Sequence, residues 1–400
     1  MNQRLRIGML CPYSLTVPGG VQAQVMGLAR ALRRMGHEVR VLGPCDGAPP
    51  DTFVTPLGES LPTAANGSIA PLAPDPAAAL RTIRVLGDEQ FDVLHLHEPF
   101  SPGPTTTTLI MRPAPVVATF HAAGESTSYR YLNPVLRQMA SAIDRRVAVS
   151  KDARLLAERY LGGEYVILPN GVELERFIPT NDVERRTDRR HILFCGRHEP
   201  RKGLEVLLRA HRSLPSDVHV WVASTGPETE RLTHEYAGDP RIEWLGRITD
   251  DEKIDYLRRS DVFCAPSLGG ERFGVVLIEA MAACTPIVAS ALDGYMNVAT
   301  DGVNAILTEP GDVDALADAL RRVLDDAALR SRLVEAGSNH ARDYSMVTLA
   351  EAYVTIYRQL LADRLRRTPR RTRLRRLFAW FRSAFRPRRP ATDPGHRLST

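Results

Sequence analysis

Short apolar runs alternate with amphipathic stretches almost without interruption, and the pattern starts twice. RIGMLC (6–11) reads as a strand. Val21–Met35 follows with Val25, Leu28, Ala29 and Leu32 on one helical face, and Gly36 ends it. HEVRVLGP (37–44), DVLHLHEP (92–99), PVVATFH (115–121), RRVAVS (145–150) and YVILPNGV (165–172) continue the series. HILFCGR (191–197) then begins it again, followed by GLEVLLRAHRSL, VHVWVAST (218–225), RIEWLG (241–246), VFCAPS (262–267) and TPIVAS (285–290). Strands that are apolar on both faces and alternate with helices pack as parallel sheets covered on both sides. The expected fold is therefore α/β: two doubly wound, Rossmann-like parallel-sheet domains facing a cleft. The expected boundaries are 1–172 for an N-terminal acceptor-side domain and 173–344 for a C-terminal nucleotide-sugar domain. A closing helix is expected over 345–364, returning to the first domain, and a tail over 365–400. The joint falls near Asn170–Arg190, where Asn170-Gly171 and Pro179 supply turn chemistry. Residues 46–78, rich in Pro, Ala and Gly, read as a long irregular loop.

The net charge of +5 conceals an asymmetry. Twelve arginines and no acid lie between Arg364 and Arg389, so the rest of the chain carries −7. In a helical projection Leu374, Leu377, Phe378, Phe381 and Phe385 share an arc of about 100°. Arg371, Arg373, Arg375, Arg376, Arg382 and Arg386 occupy the flanks and back. A basic helix with an aromatic stripe suits an anionic membrane surface. No run is long enough to span a bilayer, and Ile7–Cys11 is too short for a signal peptide. The five cysteines (11, 45, 195, 264 and 284) lack metal spacing and read as reduced, buried thiols of a cytosolic protein. No metal site is expected, and nothing points to nucleic acid.

In open parallel sheets ligands sit beyond the carboxyl ends of strands, and the informative loops lie there. Pro18-Gly19-Gly20 opens the first helix, where backbone can approach an anion. His97-Glu98-Pro99 and His121 end two strands. Gly196-Arg197-His198-Glu199-Pro200-Arg201-Lys202-Gly203 sets Arg and Lys in a glycine-flanked strand-to-helix loop, a pairing suited to a diphosphate. In Gly269-Gly270-Glu271-Arg272-Phe273-Gly274-Val275, free amides at a helix start can hold phosphate or a sugar hydroxyl. Glu271 and Glu279 are diol acceptors, because both oxygens of a carboxylate accept.

Together these motifs resemble the retaining nucleotide-sugar glycosyltransferases of the GT-B fold. There two glutamates separated by seven residues follow a glycine loop, as Glu271 and Glu279 do, and Pro169-Asn170-Gly171-Val172 resembles the inter-domain segment. Residues 6–360 are covered. CPYSLTVPGGVQAQV, NGSIA (66–70), FDVLHLHEP, VVATFHA and SLGGERFGVVLIEAMAA look most like the phosphatidylinositol mannosyltransferases within that family. The resemblance implies a GDP-mannose donor, a phosphatidyl-inositol lipid acceptor, and a cytoplasmic enzyme peripheral to the inner face of the cell membrane. It implies no bound cofactor, although a donor diphosphate can bring Mg²⁺ through its own oxygens. His121, Arg197, Lys202 and Glu271 would be the catalytic set. Gly20, Phe273, Gly274, Val275 and Glu279 would join Arg197, Lys202 and Glu271 on the donor, with His121 on the mannose and Glu279 on the ribose. Tyr13, Asn66 and Ser68 would face inositol, and Arg373, Arg376, Leu377, Phe378, Phe381 and Phe385 would meet the membrane. The sequence also departs from the mannosyltransferases. The lysine expected a few residues after His121 is missing from 122–126, Pro71 replaces an arginine after NGSIA, residues 77–86 keep only Arg81 and Arg84, and Cys284 replaces a glycine. A GT-B transferase using a UDP-sugar and a soluble or glycan acceptor is the alternative.

Overall fold

The structure, a computed structural model, describes residues 4–65, 68–122, 133–177, 189–271 and 273–366. Two parallel sheets carry it. The first has seven strands in the order β3-β2-β1-β6-β7-β8-β9. These are β1 (Arg6–Leu10), β2 (Glu38–Gly43), β3 (Val54–Pro56), β6 (Val93–His97), β7 (Val116–Phe120), β8 (Arg145–Ala148) and β9 (Val166–Ile167). The second has six, in the order β12-β11-β10-β13-β14-β15. Its members are β10 (Arg190–Cys195), β11 (Val218–Ala223), β12 (Ile242–Gly246), β13 (Val262–Ala265), β14 (Ile287–Ser290) and β15 (Ile306–Thr308). Every pairing in both sheets is parallel, as the two-faced apolar runs require.

The strand order reverses between β1 and β6 in one sheet and between β10 and β13 in the other. Such switch points open a crevice at the strands' carboxyl ends. Every loop singled out above leaves a strand at or beside one of these two places.

The expected loop over 46–78 is partly ordered structure. It contains β3 and an antiparallel hairpin of β4 (Leu61–Ala65) and β5 (Ser68–Leu72). The two strands of this hairpin form a separate two-stranded sheet, in which Pro62 and Pro71 sit opposite one another outside the seven-stranded ladder. Tyr13 bridges to Leu72, and the Ser14 amide donates to the Pro71 carbonyl at 2.9 Å.

The last helix, Met346–Arg366, packs on the first, Gly20–Arg34, with Ala350, Tyr353, Val354 and Tyr357 in a core shared with Val25, Leu28 and Leu32. The chain crosses between the two sheets at two adjacent places. Val172 bridges Ser345, its amide donating to Tyr344 at 2.7 Å. The Gln24 amide clamps the crossing peptide from both sides, donating to the Gly171 carbonyl at 2.6 Å and accepting from the Gly171 N–H at 2.8 Å. Glu173, 7% exposed, takes Arg30 and Arg34 from the first helix.

Two readings of the cysteines need correction. Cys11, Cys45 and Cys264 are buried, but Cys195 is only partly so and Cys284 is exposed. Cys284 closes the helix Val275–Ala282 at φ 57°, a left-handed position that glycine adopts without strain and a side chain does not. The glycine expected there by resemblance thus has a conformational reason, and cysteine carries a strain on the order of 1 kcal/mol.

Candidate active site

The loops after β10 and β13 meet at the second switch point. Gly203 adopts φ 67°, and a Cβ there would lie 1.9 Å from the Pro266 carbonyl oxygen. The Leu268 N–H also donates to the Arg201 carbonyl at 2.7 Å. Glycine is therefore what lets the two loops touch. The contact brings Lys202 and Glu271 together at 2.5 Å. Ser267 donates to the same Glu271 oxygen at 2.9 Å, and Arg201 lies 3.9 Å from it. Ser267 has one proton and gives it to Glu271, so the Tyr295 hydroxyl, 3.0 Å away, donates to Ser267. Burial first, and then the charge of Glu271, push the Tyr295 phenol above its ordinary value, which keeps it a donor.

Arg197 is half-exposed and pairs with Glu199 at 3.1 Å; Arg201 takes the other oxygen of Glu199 at 2.8 Å. Glu199 therefore spaces two guanidinium groups around a loop that also offers Lys202. Three cations against Glu199 and Glu271 leave the loop able to receive a polyanion.

Gly274, at φ 76°, starts the helix Val275–Ala282, and no side chain caps it. Its first amides keep the anion-binding character of an uncapped helix start. The Phe273 side chain is buried edge-on against Tyr344, so this residue packs the loop down and its backbone alone is available at the site. Glu279 lies one turn further on and is held by Lys253 at 2.8 Å. Lys253 comes from the helix Asp250–Arg259, whose start is fixed by a capping box between Thr249 and Glu252. Burial alone would depress Lys253, but Glu279 and Asp250 more than offset it and its pKa is raised.

On the first sheet, Gly20 is exposed at the mouth of the first helix with open space around its α-carbon. His121 directly follows β7 but is 5% exposed, with Nε2 bonded to His97 Nδ1 at 2.9 Å. Its ring is packed into the strand ends beside His97. The His121 N–H donates to Glu98 at 2.8 Å, and buried Glu98 holds φ 49°, a strained conformation for a non-glycine residue. Tyr13 sits at the base of the β4–β5 hairpin and Ser68 at its tip, roughly 13 Å apart at a strand rise of about 3.3 Å per residue. Asn66 and the tail positions Arg373, Arg376, Leu377, Phe378, Phe381 and Phe385 lie outside the described residues. A cavity of about 320 Å³ lies near the amino ends of β10–β12 beside Arg189, His191, Trp221 and Arg259, and no expected donor residue lines it.

Sequence reading missed Lys253, Ser267 and Tyr295. Lys253 acts through Glu279 on another helix, Ser267 through Glu271 in its own loop, and Tyr295 reaches Ser267 from the helical turn after β14; His97, alternating with His95 in β6, was legible as a strand-end residue.

Residues 18–176 match the family described as Glycosyltransferase Family 4, and residues 179–340 match Glycosyl transferases group 1. Among solved structures, sucrose-phosphate synthase from Thermosynechococcus elongatus superposes with a TM-score of 0.72 at 22% identity, covering 90% of this chain and 100% of that one. Anabaena HepE in complex with UDP and glucose gives 0.68 at 18% identity, covering 88% and 99%. Those likenesses establish the fold, and with the family matches they make this chain a GT-B glycosyltransferase. The phosphatidyl-myo-inositol mannosyltransferase of Mycobacterium leprae is 41% identical over 364 residues, 88% of this chain and 96% of that protein. That of Propionibacterium freudenreichii subsp. shermanii is 35% identical over 371 residues, 88% and 94%. The chain belongs to the phosphatidyl-myo-inositol mannosyltransferase family of these enzymes.

Proposed function

We propose that the chain transfers mannose from GDP-mannose to a phosphatidyl-inositol lipid, with retention at the anomeric carbon. The observation that carries the donor side is the Lys202–Glu271–Ser267 cluster, joined across two switch-point loops and flanked by an uncapped helix start. Lys202, with Arg197 and Arg201, receives the diphosphate and stabilises its charge as the leaving group departs. Glu271, held by Lys202 and Ser267, orients sugar hydroxyls through its remaining acceptor positions. Glu279, fixed by Lys253, takes the ribose diol, and the amides at Gly274–Val275 meet the phosphate or sugar. Gly20 leaves room for the donor on the facing domain, and His121 meets the mannose. The bond from mannose C1 to the phosphate oxygen breaks and a bond to the acceptor oxygen forms on the same face. The acceptor proton passes to the departing phosphate, so no carboxylate nucleophile is needed. Mg²⁺, where it takes part, arrives on the donor diphosphate. Among the described residues no cluster of three or more His, Cys, Asp or Glu side chains is placed to hold a metal.

The acceptor assignment follows the relatives, with Tyr13 and Ser68, at the base and tip of the β4–β5 hairpin, and Asn66 assigned to the inositol side. Among the described residues no helix is long and apolar enough to cross a membrane. Membrane contact is therefore assigned to the arginine-rich tail, with Arg373, Arg376, Leu377, Phe378, Phe381 and Phe385 at an anionic surface on the cytosolic side. Each arginine close to such a surface is worth about 1 kcal/mol.

Base selectivity is the first check. GDP at one hundred times its Kd should stabilise the protein by about 2.7 kcal/mol, and UDP at the same concentration by much less. Thermal unfolding with each nucleotide reads this directly. Equal or greater protection by UDP would replace GDP-mannose with a UDP-sugar.

A further inference from the structure

His95, His97 and His121 form a row of buried rings at the carboxyl ends of β6 and β7. Ring centroids are 4.4 Å apart from His95 to His97 and 5.2 Å from His97 to His121. His95 and His97 share one face of β6 because side chains alternate along a strand. The outer member, His95, is fully satisfied. Tyr357 bonds its Nδ1 at 2.7 Å and Thr119 its Nε2 at 2.7 Å; Thr119 in turn meets Tyr353 at 2.8 Å. Both tyrosines come from the closing helix.

His97 differs. Its Nδ1 is committed to His121 Nε2, while its own Nε2 is buried and, among the described residues, has no hydrogen-bond partner. His97 lines a cavity of about 10 Å³, together with Gln24, Thr119, His121, Asn170 and Tyr353. That is room for one water among several polar side chains. Burial, with His95 and His121 as neighbours, holds His97 well below the usual histidine range, so its ring is neutral. A leucine or phenylalanine would fill the space without burying two ring nitrogens, so packing alone does not account for the residue.

We infer that His97 is a positioning residue: through Nδ1 it fixes the ring plane and tautomer of His121, with one water in the adjoining cavity serving its Nε2. A neutral imidazole has one proton for two nitrogens. Whichever ring donates across the Nδ1···Nε2 contact therefore decides whether His121 presents an N–H or a lone pair at its other nitrogen. The sugar then meets one defined group. The inference rests on the reading that His121 meets the donor sugar. Because Gln24 also clamps Gly171, the same cavity borders the crossing between the two sheets.

The test compares His97→Leu with His97→Asn in the full-length protein. Leucine removes the bond to His121. Asparagine keeps an amide near the place of Nδ1. His97→Leu should lower kcat about 10–100-fold, the scale typical of residues that orient a functional side chain, with the donor KM within about twofold of wild type by the same reasoning. His97→Asn should recover most of the loss. Nitrogen-15 spectra of histidine-labelled protein should show one His121 tautomer in the wild type and in His97→Asn, and a mixed or inverted one in His97→Leu. Wild-type kcat in a folded His97→Leu variant, equal loss in both variants, or an unchanged His121 tautomer would each overturn the inference. Should the leucine variant not fold, the asparagine variant decides alone: wild-type-like kcat and tautomer support the inference, and loss of either overturns it. His121→Ala separates the two levels. Full activity there removes His121 from the sugar site, while the spectra still test its coupling to His97.

Discussion

Replacing Lys202 by alanine should lower kcat about 10²–10³-fold, the usual loss on removing one preorganised group that meets developing charge. Lys202 lies 2.5 Å from Glu271, and that carboxylate also receives Ser267 and faces Arg201. The alanine variant therefore loses a cation for the leaving diphosphate and loosens the carboxylate that orients the sugar. Glu271→Ala should cost a similar factor. If the two act as one unit, the double variant falls little further than the worse single one. Their side chains are 21% and 11% exposed, between a surface pair worth under about 1 kcal/mol and a buried pair worth about 3–5. A stability loss of about 1–3 kcal/mol is expected, so activity should be compared on protein shown to be folded. Near-wild-type turnover in folded Glu271→Ala would remove Glu271 from the mechanism.

Glu279→Ala should be the more destabilising change. Lys253 and Glu279 are 20% and 16% exposed and 2.8 Å apart. Removing the carboxylate leaves an ammonium largely out of water, with Asp250 at 3.7 Å as the remaining counter-charge. We expect a loss of about 2–4 kcal/mol, because a largely buried charge is left without its main partner, read as a fall in the urea midpoint at constant m. The added heat protection by GDP should disappear as well. Replacing both partners, as Lys253→Met with Glu279→Leu, should restore much of the stability without restoring GDP protection. A double variant that regains both would mean that the pair is structural and holds no ribose.

Legibility followed the range of the interaction. The two-sheet architecture could be read because each strand and helix declares itself within ten or so residues. The glutamate spacing and the Arg/Lys loop were visible because each lies within one loop and the helix after it. The hairpin over 61–72 was hidden: its prolines argue against a central strand, and nothing local shows that its two strands pair with each other outside the main sheet. Lys253 was hidden because an acidic helix containing one lysine looks like a solvated surface, and Glu279 reaches it from a different helix. Phe273 looked like part of the binding loop and proves to anchor it. His121 was legible as a strand-end histidine, but its burial follows from His97 on the neighbouring strand, a pairing that exists only once β6 and β7 are side by side. Exposed Cys284 shows the converse: the sequence displayed the departure from glycine, and the positive φ supplies its meaning.

The central claim is mannosyl transfer to an inositol lipid, and the direct measurement is incorporation of label from GDP-mannose into phosphatidylinositol liposomes by the purified full-length protein. The account predicts label in the solvent-extractable lipid, dependent on phosphatidylinositol and lost in Lys202→Ala. No label in lipid from a protein that still binds GDP-mannose, with transfer to a soluble polyol or glycan instead, would contradict it.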